Sequence, residues 1–296
     1  DTSLGREINS ENSAQEVSAS YQIDGSIPFR VLLAEDSQAN QLVAMNVLEK
    51  AGYKVDAVAN GIEAIKAVQS LPYDVILMDL QMPEMGGLEA TEHIRKLPSS
   101  IGDIPILAMT ANVLGDVKRQ CKSVGMNGFI SKPINKHELF ERLSDFYQRK
   151  KAALLVDQVP LPDVYVEKEV GLTSTNDNDY ISEKVLFQLI EDTSLSAVNR
   201  MMAVFISETN KRIDSMVELI ASEDWQELGK EAHSLKSSAA SYGALALSSL
   251  AAKIEYDMSE LNDEQIQAQL EYYSVLAKLG TDSIEKISLL LEVQNA

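Results

Sequence analysis

Two segments of this 296-residue chain carry groups that could exchange a phosphoryl group. In Asp74-Val-Ile-Leu-Met-Asp-Leu-Gln-Met-Pro-Glu-Met-Gly-Gly87, Asp79 closes an apolar run, where a buried strand would deliver a carboxylate oxygen to a pocket. In Ala232-His-Ser-Leu-Lys-Ser-Ser-Ala239, His233 stands within a helical pattern, and neutral imidazole is a competent nucleophile near neutral pH. An oxygen acceptor and a nitrogen acceptor in one chain are what a phosphoryl carrier needs.

The elements that would position Asp79 alternate. Short apolar runs at 30–34, 54–59, 74–78, 104–109 and 128–130 read as strands. Amphipathic stretches at 38–51, 61–70, 87–97, 113–124 and 136–148 read as helices. Five such units predict a doubly wound α/β domain with a five-stranded parallel sheet, and runs such as Val-Ile-Leu-Met fit strands buried on both faces. Ligands of such sheets gather at the carboxyl ends of the strands.

Those ends hold Glu35 and Asp36 after strand one, Asp79 after strand three, Thr110 after strand four and Lys132 before Pro133 after strand five. Three carboxylates in one pocket repel one another and raise one another's pKa, so the set makes sense with a divalent cation, and all-oxygen ligands suit Mg²⁺. Asp79 would then be the acceptor, with Mg²⁺ and Lys132 holding the phosphoryl oxygens. A haloacid-dehalogenase-type phosphatase wants a second aspartate two residues on, where this chain has Gln81. Helix caps and loop acids would explain any one of these residues singly, but not all five at the expected strand ends.

The second half is helical in pattern, with candidates at 182–192, 195–221, 225–242, 244–258 and 263–293, and a capping box by type and spacing at Asp224 and Glu227. An all-α bundle is the economical reading. On a helical wheel Trp225, Leu228, Ala232, Leu235, Ala239 and Tyr242 form the core stripe, and His233 falls about 140° from its centre. His233 is therefore expected in solvent, cleared by the small residues Gly229, Ser237 and Ala240, with Lys236 beside it to neutralise an attached phosphoryl group. His93 and His137 lie among charged residues and receive no role.

The net charge of −19 is uneven. Residues 29–150 carry 15 acids and 14 bases, and residues 180–296 carry 19 and 9, which argues against a nucleic-acid surface in the second half. No apolar run reaches the roughly 20 residues of a membrane span. Cys121 is the only cysteine and shares a helical face with Val117 and Val124, so it reads as a buried, inert thiol. Residues 1–27 read as a flexible linker cut from a longer protein, and 150–180 as an interdomain linker with one apolar piece at 164–166.

With these residues in view, 28–149 resembles a response-regulator receiver domain and 181–296 resembles a histidine-containing phosphotransfer (HPt) domain. The resemblance implies a flavodoxin-like sheet in the order 2-1-3-4-5 and a four-helix bundle with an extra helix. It implies Glu35, Asp36, Asp79 and the backbone carbonyl of Gln81 as Mg²⁺ ligands, Asp79 as phosphoacceptor, Thr110 and Lys132 as the signalling pair, and Phe129 as an aromatic switch with room beside Ala111. It further implies a cis bond between Lys132 and Pro133, His233 as phosphocarrier and Lys236 as its helper, though Ser237 stands where the family commonly has glycine.

The whole resembles the C-terminal part of a hybrid sensor histidine kinase. Its implied partners are an upstream histidine kinase domain and a downstream response-regulator receiver, without nucleic acid or membrane contact. A cytoplasmic location is implied, with any anchor of the parent protein lying upstream. No Gly-x-Gly or nucleotide-lid motif is present, so ATP use is not expected. The alternative is a non-catalytic interaction module whose binding is switched by phosphorylation of Asp79.

Overall fold

The computed structural model describes residues 23, 25–111, 115–155, 181–273 and 275–295. The apolar piece expected at 164–166 lies outside them, as does most of the expected N-terminal linker. The first half alternates strictly: β1 (Arg30–Ala34), α1 (Gln38–Lys50), β2 (Lys54–Val58), α2 (Gly61–Ser70), β3 (Val75–Asp79), α3 (Gly87–Arg95), a one-turn α4 (Ser99–Gly102), β4 (Ile106–Thr110), α5 (Gly115–Ser123), β5 (Gly128–Ser131) and α6 (Lys136–Leu155). All pairs are parallel and the order is β2-β1-β3-β4-β5, as the resemblance implied.

Alternate residues of the inner strands β1, β3 and β4 enter opposite cores, which is why their sequences are almost continuously apolar. Val31, Leu33, Val75, Leu77, Leu107 and Met109 pack on the α1 and α6 side. Leu32, Ala34, Ile76, Met78, Ile106 and Ala108 pack on the α2, α3 and α5 side, together with the buried Cys121 and Phe129. Helix α6 runs to Leu155 rather than ending near 148, because Arg149-Lys-Lys-Ala-Ala-Leu-Leu155 consists of strong helix formers.

The second half is helical: α7 (Glu183–Asp192), α8 (Leu195–Ser222), α9 (Trp225–Ser241), α10 (Leu245–Glu260), then α11 (Asp263–Gln267), α12 (Leu270–Tyr273) and α13 (Leu276–Asn295). The single helix expected over 263–293 is thus broken in two places. The break accompanies a tertiary anchor, the buried hydroxyl of Tyr273 donating to Oδ2 of Asp257 on α10 at 2.8 Å, which periodicity does not encode. The expected capping box at Asp224 half forms. Asp224 accepts from the Glu227 amide, but Glu227 pairs with Lys230 and the Asp224 amide donates to the Leu219 carbonyl. The reciprocal pair forms instead at Asn262 and Gln265.

Helix α1 belongs to both halves. Its Ala44, Val47 and Leu48 enter the sheet core, while Ala39, Leu42 and Val43 join the core of the bundle. A helix apolar on two sides is buried on two sides, and α1 lies between the sheet and α8 and α9.

Candidate functional site

The pocket at the sheet edge is built as the strand pattern requires. Asp79 is the last residue of β3, Thr110 the last of β4, and Lys132 follows β5, its amide donating to the Thr110 carbonyl at 2.8 Å. Lys132 Nζ lies 2.6 Å from both Glu35 Oε2 and Asp79 Oδ2, and all three side chains are buried. The Lys132–Pro133 bond is cis. The Gln81 amide donates to Asp79 Oδ1 at 3.2 Å. Gly87 has no freedom to be larger, since a Cβ there would stand 2.1 Å from the Asp79 carbonyl oxygen; the loop after β3 doubles back against the strand end. Phe129 is buried beneath the ammonium of Lys118, 4.8 Å from the ring centre.

One ammonium faces three acids. Burial is the largest influence on Glu35 and raises its carboxyl to about 7; Lys132 pulls the other way, and Asp79 and Asp36 add to the rise. Burial alone would lower Lys132, but Asp79 and Glu35 outweigh it and hold the ammonium well above its usual value. Glu35, Asp36 and Asp79 each offer a carboxylate oxygen within 4.8 Å of the others. Hard oxygen donors carrying excess negative charge fit Mg²⁺.

Around His233 the structure departs from the sequence expectation. The side chain is 7% exposed, not projecting into solvent. The wheel considered the bundle alone, whereas the receiver half packs against this face of α9. Ser234 Oγ donates to Asp36 Oδ2 at 2.7 Å, and Asn40 Nδ2 donates to Ser237 Oγ at 3.2 Å and to Glu35 Oε1 at 2.9 Å. Nor is the column of small residues simply open. A Cβ at Gly229 would stand 3.2 Å from Met258 Cβ, so that glycine admits α10, and Ser237 meets the receiver.

Glu255 of α10 was not anticipated. Its Oε1 lies 2.6 Å from His233 Nδ1 and its Oε2 takes the ammonium of Lys236, so Lys236 is held by the same carboxylate as the imidazole. Burial pushes Glu255 up, but the bonds and charges of His233 and Lys236 outweigh it and keep the carboxyl below its usual range. An ionised carboxylate only accepts, so Nδ1 carries a proton, and in the neutral form of the imidazole the lone pair is on Nε2. A sequence signal existed: α9 and α10 form an antiparallel hairpin about Gly243, whose φ is +76°, and residues about equally far on either side of it face each other.

Residues 31–144 match the family model of the response regulator receiver domain, and residues 200–285 match that of the Hpt domain. The chain is thus a receiver domain followed by an Hpt domain, the pairing of a phosphorelay in two-component signalling. Hybrid sensor histidine kinases are its relatives. Sensory/regulatory protein RpfC of Xanthomonas campestris pv. campestris is 24% identical over 261 residues, covering 86% of this chain and 34% of that protein. Sensor protein GacS of Pseudomonas syringae pv. syringae is 31% identical over 202 residues, covering 64% of this chain and 22% of that protein. The chain therefore spans about a third or less of these relatives. Among solved structures, the receiver domain of sensor histidine kinase PA1611 from Pseudomonas aeruginosa PAO1, with magnesium in its active-site cleft, is 36% identical, covers 41% of this chain and 99% of its own, and has a TM-score of 0.39. Among the described residues no helix is long and apolar enough to cross a membrane.

Proposed function

We propose that this chain takes a phosphoryl group from a phosphohistidine of an upstream kinase domain onto Asp79, passes it to His233, and gives it up to the aspartate of a separate response regulator. The observation that carries the reading is that residues flanking His233 are bonded to the acidic pocket of the receiver, Ser234 to Asp36 and Ser237 to Asn40.

In the first step a carboxylate oxygen of Asp79 bonds to phosphorus as the P–N bond of the donor breaks, and the donor imidazole leaves with the electron pair. Lys132, already 2.6 Å from Asp79 Oδ2, moves its charge onto the incoming phosphoryl oxygens. Glu35, Asp36, Asp79 and the backbone carbonyl of Gln81 would hold Mg²⁺, which when bound supplies the charge that lets a trianionic group approach three acids. Thr110 turns toward the same oxygens and, with Phe129, reports the occupied state to the receiver surface by population shift.

In the second step Nε2 of His233 bonds to phosphorus, the P–O bond breaks and the Asp79 carboxylate re-forms. The imidazole gains positive charge, which Glu255 stabilises through Nδ1–H while Lys236 limits the negative charge of that carboxylate. The chain works in the cytoplasm between two protein partners. Incubation with acetyl phosphate and Mg²⁺ tests the reading: label should appear on Asp79 first and then as acid-labile, base-stable phosphohistidine. Absence of phosphohistidine in wild type, with Asp79 loaded, would leave the bundle a docking module.

A further inference from the structure

The three acids of the pocket are not held alike. Glu35 and Asp79 take their bonds from the receiver itself, through Lys132, the Asn40 side chain and the Gln81 amide. Asp36 takes its bonds from the bundle. Its Oδ2 accepts the Ser234 hydroxyl at 2.7 Å and has the guanidinium of Arg212 at 3.7 Å. Arg212 is itself fixed, by Glu208 one turn earlier on α8 at 3.1 Å and by Glu231 of α9 at 2.6 Å. A carboxylate of the receiver thus faces a hydroxyl proton and a positive charge that both come from the other domain.

Resting on the assignment of Asp36 as a Mg²⁺ ligand, we infer that Mg²⁺ and the docked bundle compete for Asp36: Ser234 and Arg212 stand in for the cation when the halves are together, and filling the metal site loosens the bundle from the receiver. Mg²⁺ needs oxygen lone pairs at about 2.0–2.1 Å in a near-octahedral array, and Oδ2 already points at Ser234 and Arg212. A guanidinium on the same carboxylate as a divalent cation also repels it. Burial keeps water from screening that repulsion, since the Arg212 and Asp36 side chains are 13% and 9% exposed. Asn40 adds to the conflict. Its Nδ2 is shared between Glu35 Oε1 and Ser237 Oγ, and its Oδ1 is buried with no hydrogen-bond partner among the described residues. An orphaned acceptor is a cost of the docked form that water removes on release.

Coupling of this kind is reciprocal, so the factor by which docking weakens the cation is the factor by which the cation weakens docking. A docked, cation-bound chain still forms at that penalty, and the relay is biased, not blocked. The cation that readies Asp79 for its phosphoryl group therefore also frees the pocket from the bundle.

Two readouts on the full chain test this. The Ala39 amide, a donor in the first turn of α1, gives its proton across the interface to Glu208 Oε2 at 2.9 Å, so its hydrogen exchange reports docking. Saturating Mg²⁺ should speed that exchange about tenfold, and sodium chloride of equal ionic strength should not. Calorimetric Mg²⁺ titration reads the other side of the cycle. Ala39 and Leu42 pack against the bundle core and not the receiver core, so Ala39→Gln combined with Leu42→Gln undocks the halves without changing charge. This double variant should bind Mg²⁺ about tenfold more tightly. Arg212→Met should tighten binding likewise in the wild-type background and add nothing in the undocked one, where the guanidinium has left. Exchange at Ala39 that Mg²⁺ leaves unchanged overturns the inference, as does an undocked chain that binds Mg²⁺ no more tightly than wild type. A misfolded double variant would lose Mg²⁺ binding altogether, and Arg212→Met with the exchange of wild type then decides. Wild-type Mg²⁺ affinity that Asp36→Asn leaves unchanged overturns the metal assignment itself instead.

Discussion

The hydroxyl of Ser234 donates to Oδ2 of Asp36 at 2.7 Å, joining the residue beside His233 to one of the three acids of the receiver pocket. Both groups are shielded from water, and Arg212 approaches the same oxygen. The docked bundle and the acidic pocket are therefore one electrostatic unit, and changes on either side should be felt on the other.

Asp79 should be the only receiver acceptor. Asp79→Asn is expected to abolish uptake from acetyl phosphate, and wild type without Mg²⁺ should take up almost none, because the approaching trianion meets uncompensated acids. Full labelling of the variant at another receiver acid would show that Asp79 is not the acceptor. Asp36→Asn should weaken Mg²⁺ binding in a calorimetric titration.

Among the described residues Lys132 is the one ammonium bonded to Glu35 and Asp79. Lys132→Met leaves those buried charges unpaired, and the metal-free protein should lose about 3–5 kcal/mol in urea unfolding. Because Mg²⁺ neutralises the same acids, the loss should shrink when the cation is added. Equal losses with and without Mg²⁺ would place the cation elsewhere.

The raised Glu35 carboxyl sets a pH window. Between its ordinary 4.5 and about 7 the folded protein holds a proton that the unfolded chain has released, so the metal-free protein should lose stability as pH rises through that interval. Mg²⁺ takes the deprotonated carboxylate, so its affinity should climb up to about pH 7 and then level off. Glu35→Gln should remove the pH dependence as well as weaken binding; titrations on both proteins from about pH 5 to about pH 8 check this, and a flat wild-type profile would refute it.

Glu255 should act through the imidazole it orients. Glu255→Gln is expected to slow His233 phosphorylation about tenfold or more while leaving Asp79 loading intact. Nitrogen NMR of His233 should show the proton on Nδ1 in wild type and a mixture of tautomers in the variant. Lys236→Ala should slow transfer less, because the ammonium is bonded to Glu255 and not to the ring. An unchanged tautomer alongside a slowed reaction would assign Glu255 a different part.

Much of this protein was decided along the chain. Strand burial follows from runs such as Val75-Ile-Leu-Met78, and parallel strands deliver their carboxyl ends to one edge, so Glu35, Asp79, Thr110 and Lys132 meet wherever that alternation folds. The core stripe of α9 was equally legible, since a 3.6-residue repeat needs no knowledge of what lies elsewhere. The tertiary structure decided what covers the other side. Ala39, Leu42 and Val43 give α1 a second apolar side whose partner is set only when the bundle packs on it, and His233 looks exposed until α10 and the receiver half close around its face of α9. Glu255 reaches the imidazole only because α9 and α10 fold back on each other, and Arg212 reaches Asp36 from a residue 176 positions away. Periodicity reports which face of an element avoids water, but burial between two domains depends on the shape and charge of both, which no single stretch of sequence contains.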